Sequence, residues 1–203
     1  VLTGIAPGES RELLIMNPQG HIEHACGAID DGQTLYLITE ASDAQALADW
    51  LTSMRFALRV EITISQRWWL LGSSGRGGRS PRRRVPLTWN DPWPGIVDGG
   101  AAYYQGKHPG DSFSFHIHLV PRDQAREFWR EWSEGAPKRR AAGIAAWEAT
   151  RIAAWRPRLG HETDARSMPA ELDWLRTAVH TNKGCYRGQE AVARILNVGR
   201  PAR

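Results

Sequence analysis

Cysteine is scarce in this chain of 203 residues, which holds only Cys26 and Cys185. Two cysteines are too few for the disulfide framework of a small secreted protein, so a reducing, cytoplasmic location is the simpler expectation. Long apolar runs are also absent from the sequence, because no stretch approaches the roughly 18 apolar residues of a membrane helix. We also expect no signal-peptide leader, because the first residues of the sequence lack a charged and then apolar stretch. The sequence therefore predicts a cytoplasmic protein with no membrane segment.

Tryptophan, in contrast, occurs ten times. Trp50, Trp129, Trp147 and Trp174 fall in amphipathic patterns, which favours a place in the core over a place in a pocket. The formal net charge of +4 leans toward anionic partners such as nucleic acid, a polyglutamyl tail or a phosphorylated ligand, although many enzymes are equally basic. Composition alone therefore selects no partner.

Apolar periodicity predicts an α+β fold. Residues 11–40 alternate short apolar runs with turn signals at "NPQG" and "DDG", as in a meander of strands. Ser42 and Gln45 form a capping box ahead of a helical stripe that runs to Leu58. Further segments follow: strands at 59–65, 67–73 and 111–122, then a helix at 123–135 with Asp123 as N-cap and Gly135 at its end. This order of strand, helix, strand, strand and helix is typical of a ferredoxin-like unit.

The C-terminal third predicts three helices: at 141–155, at 169–179 with Pro169 in the first helical position, and at 188–197 closed by Gly199. Residues 73–86, "SSGRGGRSPRRRVP", have no apolar face and predict a mobile loop. Their glycines lack the spacing of a dinucleotide-binding motif. Arg82, Arg83 and Arg84 suit phosphate contacts, but no aromatic side chains interleave with them, so a solvated loop is preferred over nucleic-acid binding.

His116 and His118 lie two residues apart on a predicted strand, so their rings share one face, as in some metal sites. No acidic or cysteine partner lies at a recognisable spacing, so no metal site is predicted. Cys26 alternates with apolar neighbours and is interpreted as a small buried hydrophobe.

Three local features surround Cys185 in "KGCYRGQE". Lys183 and Arg187 bring positive charge near the sulfur, Gly184 removes side-chain bulk, and a helix predicted from about Gly188 directs its N-terminal dipole toward the cysteine. Each feature stabilises a thiolate and favours a reactive cysteine. A partly buried structural cysteine in the turn before a helix fits the same residues equally well.

The stretch "KGCYRGQE", followed by "AVAR" and "NVGRP", resembles the signature of the YgfZ family, folate-binding relatives of the glycine-cleavage T-protein that support iron–sulfur enzymes. Residues 7–24 and 147–175 resemble the family's opening sheet and the segment before its motif. The resemblance implies a T-protein-like α+β fold with a ferredoxin-like subdomain and without the C-terminal β-barrel, in a chain shortened at both ends. It also implies two units with a folate cavity between them: a discontinuous folate-binding unit of 1–31 with 140–203, and a ferredoxin-like unit of 32–139.

The same resemblance implies tetrahydrofolate, or a one-carbon derivative, as cofactor and iron–sulfur client proteins as partners. Cys185 would be the reactive group, tuned by Lys183 and Arg187, while Tyr186 would pack against the ligand. The other motif residues would shape the helix start and its contacts: Gly184, Gly188, Gln189, Glu190 and Arg194. Arg151 and Glu148, about one helical turn apart, form either part of the cofactor site or a surface ion pair.

Two departures from the T-protein pattern bear on activity. Glu23 and His24 stand where T-protein enzymes have an aspartate pair that supplies the base for aminomethyl transfer, and the longer glutamate would move the carboxylate by about an ångström. Ala153 stands where many relatives have a glutamate that holds the pterin ring. A folate-binding accessory protein is therefore preferred over a folate-dependent one-carbon transferase, with an RNA-binding protein as the third interpretation.

Overall fold

A computed structural model describes residues 4–75, 87–135 and 139–199 of the chain. Within these residues the chain forms two three-stranded antiparallel sheets and four α-helices. None of the described helices is long and apolar enough to cross a membrane. Positions 76–86 of the predicted loop, which include Arg82, Arg83 and Arg84, lie outside the described residues. Its first two residues, Ser73 and Ser74, belong to a strand.

The first sheet confirms the predicted meander. It consists of three sequential strands: β1 (Ser10–Met16), β2 (Ile22–Asp30) and β3 (Leu35–Ile38). Asn17 shapes the first turn, because its Oδ1 accepts hydrogen bonds from the backbone N–H groups of Gln19 and His21 at 3.0 and 2.9 Å. The carboxylate of Asp31 plays the same part in the second turn. These side-chain bonds fix the two reversals that the sequence signals.

Helix α1 (Ala44–Met54) packs on this sheet through Leu47, in a cluster that includes Cys26 and Ala28 of β2. Cys26 is buried, as predicted, and burial raises the pKa of its thiol to about 12. This cysteine is therefore a core residue and stays protonated at neutral pH.

The start of α1 is not the predicted capping box of Ser42 and Gln45. Asp43 is the N-cap residue, and no side chain caps the helix. The Asp43 carboxylate instead accepts a hydrogen bond from Thr39 at 3.1 Å and contacts Nδ1 of His24 at 2.8 Å. A contact with His24 of β2 and a hydrogen bond from Thr39, just after β3, thus replace the helix cap.

The second sheet contains three strands, β4 (Trp68–Ser74), β5 (Leu87–Asn90) and β6 (Phe115–Pro121), with β6 in the middle. The sequence prediction has no counterpart of β5. The strand predicted at 59–65 is wrong, since these residues form no strand and Val60 and Ile64 are about half exposed. β6 begins later than predicted, because a 3-10 turn over Pro109–Ser112, capped by His108, precedes it.

Trp89 of β5 joins the two sheets. Its indole Nε1 donates a hydrogen bond to the carbonyl oxygen of Arg11 on β1 at 2.8 Å. Its ring lies on Gly27 of β2, where an added Cβ would approach the indole to 2.8 Å. The missing side chain at Gly27 is therefore what lets the sheets approach each other.

Three further helices complete the described fold: α2 (Ala125–Glu134), α3 (Ile144–Ala153) and α4 (Gln189–Val198). Gly135 and Gly199 follow α2 and α4, as predicted. Asp123 is not the N-cap of α2, because it lies in a 3-10 turn before the helix. The helix predicted at 169–179 is wrong beyond its first turn, since a 3-10 helix ends at Leu172 and Asp173 has a left-handed backbone with φ 55°.

His116 and His118 share the face of β6 that is turned toward α2, where the His118 ring lies 5.9 Å from that of Phe128. The two ring nitrogens of His118 hydrogen-bond with Ser73 and Thr88 at 2.8 and 2.9 Å. Burial lowers the pKa of His118 to about 4, so the ring is neutral at pH 7. No group of three potential metal ligands occurs in the described parts of the chain.

Candidate functional site

A cavity of about 850 Å³ is bordered by both sheets, α2 and α3. Its lining includes five of the ten tryptophans and a phenylalanine: Trp89, Trp129, Trp132, Trp147, Trp174 and Phe115. Of the tryptophans expected in the core rather than in a pocket, Trp174 is buried in a core cluster and also lines this cavity. The expectation is wrong for Trp129, which is 43% exposed and lines the cavity. Flat aromatic walls of this kind suit a ligand with a planar ring.

Glu12, Asp91 and Arg156 form a buried charged group in one wall of the cavity. Arg156 Nη2 lies 2.6 Å from Glu12 Oε1, and its Nε donates to Asp91 Oδ2 at 2.9 Å. Trp174 and Thr177 also donate hydrogen bonds to the Glu12 carboxylate. Burial alone would lower the pKa of Arg156, but the attraction of Glu12 and Asp91 raises it above its usual value. The guanidinium therefore stays charged.

Arg158 forms a second charged group, nearer to solvent. Its guanidinium makes a bidentate pair with Glu40 at 2.6 and 2.7 Å and a third bond to Glu148 at 2.8 Å. It also lies 5.2 Å from the centre of the Trp147 ring. Hydrogen bonding to Glu40 raises the pKa of Arg158. The paired guanidinium thus fixes the position of one aromatic wall.

Arg151 and Glu148 do pair, with 2.5 Å between Nη2 and Oε2, and Arg151 also contacts Glu162 at 2.8 Å. The alternative of a surface ion pair is wrong, because Arg151 is buried. Neither residue lines the cavity, whereas Arg158, which shares Glu148 with Arg151, does. The hydrogen bond from Arg151 lowers the pKa of Glu148. The pair therefore supports the cavity wall from behind.

The motif around Cys185 lies apart from this cavity. Cys185 is exposed and free of a disulfide, and no residue of the motif belongs to the cavity lining. Lys183, Tyr186 and Arg187 instead line a separate cavity of about 150 Å³ together with Trp50. The structure thus separates the aromatic cavity from the cysteine.

The two cations predicted to tune Cys185 have different surroundings. Lys183 Nζ lies 4.7 Å from the centre of the Tyr186 ring, and burial lowers the pKa of this lysine and raises that of the tyrosine. Arg187 Nη1 contacts Glu23 Oε2 at 3.0 Å in a partly exposed pair. The positive charge of Arg187 is therefore partly offset by the carboxylate of Glu23.

The helix after the motif begins at a tight contact between two glycines. Gly188, the N-cap of α4, has φ 82°, and an added Cβ would lie 2.8 Å from the Cα of Gly20. Around Gly184, in contrast, an added Cβ would meet no atom within 4 Å. No side chain caps α4, and Glu190 and Arg194 are exposed. Gly188 is thus the motif residue on which the packing most directly depends.

The positions that depart from the T-protein pattern also lie outside the cavity lining. Glu23 pairs with Arg187, His24 is buried against Asp43, and Ala153 is exposed at the end of α3. The carboxylates that reach the cavity come from other elements: Glu12, Glu40 and Asp91.

Sequence reasoning missed these charged residues. For Glu12 the sequence does hold a signal, because this carboxylate lies inside the apolar run of β1. A buried charge needs a partner, so such a residue indicates a charged or polar neighbour. Arg156 and Arg158 carry no comparable signal, because their partners Asp91 and Glu40 are 65 and 118 positions away.

At the level of fold, this arrangement belongs to the T-protein-like class. The crystal structure of the glycine cleavage system aminomethyltransferase T from Bartonella henselae matches the chain with a TM-score of 0.64 at 18% sequence identity. The match covers 97% of this chain and 55% of that chain, so the protein spans about half the length of the solved T-protein. No family model and no curated protein matches the sequence. The likeness confirms the predicted T-protein-like α+β fold.

Proposed function

We propose that the chain is a tetrahydrofolate-binding accessory protein that supports the assembly or repair of iron–sulfur clusters in other proteins. The observation that carries the proposal is the aromatic cavity of about 850 Å³ inside a T-protein-like fold. The resemblance of "KGCYRGQE" to the YgfZ signature supplies the link to iron–sulfur proteins.

The cavity suits a folate in size and in chemistry. Sites for ligands of this kind typically measure about 300–1,000 Å³ and combine apolar walls with a few placed polar groups. Here the tryptophan rings offer stacking surfaces for a pterin, and the paired groups at Arg156 and Arg158 supply fixed polar atoms. We therefore expect the pterin ring of tetrahydrofolate to stack between tryptophan rings. Its binding would not depend on a glutamate at position 153, where this chain has Ala153.

Cys185 would act on a partner protein and not on the bound folate. Its side chain is exposed, with Lys183 two positions before it, and it lies outside the cavity lining. An exposed thiol is accessible to a client protein or a redox partner. This position favours the accessory role.

The location of Glu23 disfavours aminomethyl transfer. Its carboxylate pairs with Arg187 and does not line the cavity. A general base must lie within hydrogen-bond reach of the proton that it abstracts. A one-carbon transferase would need another base in the cavity, where the carboxylates Glu12 and Glu40 are already paired with arginines.

Thermal unfolding with and without tetrahydrofolate tests the proposal. At about 100 times its dissociation constant, a ligand of the native state adds roughly 2.7 kcal/mol and raises the midpoint by several degrees. Ala146→Trp, which places a ring in the cavity, should abolish the shift, whereas Ala193→Trp, at an exposed position of α4, should retain it. An unmodified protein whose midpoint does not move would contradict the proposed ligand.

A further inference from the structure

The cations that border the cavity divide into two kinds. Arg156 and Arg158 are both neutralised, the first by Glu12 and Asp91 and the second by Glu40 and Glu148. The charges of both guanidinium groups are thus offset by carboxylates, which reduces their attraction for an anionic ligand, although Nη1 of Arg156 is buried without a hydrogen-bond partner among the described residues.

Arg139 and Arg140 are different. Both line the cavity, and Arg140 is exposed to solvent. In the ranges that the structure describes, neither guanidinium pairs with a carboxylate. Arg139 and Arg140 therefore bring to the cavity lining positive charge that no described carboxylate offsets.

Arg139 is held in place although it has no anionic partner. Its Nη1 donates a hydrogen bond to the carbonyl oxygen of Trp132 at 2.7 Å, and its guanidinium lies 5.1 Å from the centre of that indole. Trp132 in turn stacks on Trp129, with 5.7 Å between ring centres and 22° between planes. A guanidinium fixed in this way keeps its other N–H groups available without a large ordering cost.

Two indole N–H groups in the lining also lack acceptors. Nε1 of Trp132 and Nε1 of Trp147 are buried and have no hydrogen-bond partner among the described residues. Buried donors of this kind are normally satisfied by protein, water or ligand. The cavity lining therefore holds two further donors, one of them on the indole that Arg139 contacts.

We propose that Arg139 and Arg140 bind the carboxylates of an acidic tail on the ligand, while its planar ring lies deeper among the tryptophans. The inference rests on the proposed function, and it assigns the glutamate tail of the folate to this pair of arginines. Hydrogen bonds between oppositely charged groups are stronger than those between neutral groups, so the tail would contribute much of the affinity for tetrahydrofolate.

Calorimetric titration with two ligands tests the assignment. Tetrahydrofolate and tetrahydropteroamide, the neutral carboxamide of tetrahydropteroate, share the ring and the aminobenzoyl group, but only tetrahydrofolate carries the glutamate with its carboxylates. We expect the unmodified protein to bind tetrahydrofolate about tenfold to hundredfold more tightly, and this preference to shrink as salt is added. The double variant Arg139→Gln and Arg140→Gln should lose the preference and keep its affinity for the neutral tetrahydropteroamide.

A matched pair of substitutions provides the control. Arg55→Gln and Arg59→Gln remove the same charge from exposed positions outside the cavity lining and should leave both affinities unchanged. A preference for tetrahydrofolate that persists in the Arg139 and Arg140 double variant would overturn the assignment of the tail and leave the folate proposal intact. Failure of the unmodified protein to bind either ligand would overturn both.

Discussion

At the scale of single residues, Arg156 shows how the cavity wall is built. It lies between two buried carboxylates and 5.1 Å from the centre of the Trp93 ring. Burying such a group costs several kcal/mol for each ion, and only good pairing offsets this cost. The group therefore positions the wall more than it stabilises the fold, and it becomes destabilising when one member is removed.

Replacing Arg156 with methionine should lower the free energy of unfolding by about 3–5 kcal/mol, because Glu12 and Asp91 would be left buried without their cation. Urea denaturation measures the loss. Arg158→Met is the comparison, and it should cost clearly less, since the side chain of Arg158 is 21% exposed. Equal losses in the two variants would contradict this account of the buried group.

Because the pKa of His118 is lowered in the folded protein, we expect the free energy of unfolding to depend on pH. Its pKa is about 4 in the folded protein against about 6.5 in an unfolded chain, so the unfolded state takes up the proton first. The stabilisation is complete above about pH 6.5 and is lost as the pH falls toward 4. At pH 4.5 this one residue should cost roughly 2–3 kcal/mol relative to pH 7.

The check compares unfolding free energies of the unmodified protein and His118→Gln between pH 7 and pH 4.5. The variant starts from a lower stability, because the bonds of His118 to Ser73 and Thr88 are altered, but it should lose less on acidification. Parallel pH profiles would show that His118 does not titrate as described.

At the scale of elements, sequence patterns correctly predicted those strands and helix ends that local interactions determine. The meander of β1, β2 and β3, helix α1 after its start, and the ends of α2 and α4 follow from turn residues, helical stripes and terminal glycines. The predictions failed where contacts between residues far apart in the sequence determine the structure. β5 forms because its Trp89 packs on Gly27, and the helix predicted at 169–179 stops where Asp173 turns to contact His108 and Arg176.

The start of α4 offers a test within the motif itself. Gly188→Ala should lower the free energy of unfolding by about 1–3 kcal/mol, since it puts a side chain on a left-handed backbone and against Gly20. Gly184→Ala, with open space around it, should change stability by less than about 0.5 kcal/mol. Denaturant midpoints of the two variants measure the difference, and equal shifts would refute the proposed role of the glycine contact.

At the scale of the whole molecule, the two features expected to share one site lie apart. The resemblance to YgfZ predicted both a cavity and a reactive cysteine, and the T-protein-like fold is confirmed. The lining of the cavity was beyond prediction, because its charged residues are brought together only by the complete fold, from β1 to the segment after α3. The two-unit division at 1–31 with 140–203 and at 32–139 stays a prediction.

This separation predicts that folate binding and thiol chemistry are independent. Iodoacetamide should modify the exposed Cys185 in the native protein at the same rate with and without tetrahydrofolate, whereas the buried Cys26 should react only after unfolding. Peptide mass spectrometry distinguishes the two sites. Protection of Cys185 by tetrahydrofolate would mean that the ligand reaches the motif.

The concentration of indoles around the cavity has an optical consequence. Five of the ten tryptophans border it, so about half of the chain's intrinsic emitters would lie within a few ångströms of a bound ring. Such a ring can quench their emission by contact or receive their excitation energy. The unlabelled protein would thus report occupancy of its own cavity by the intensity and colour of its ultraviolet fluorescence.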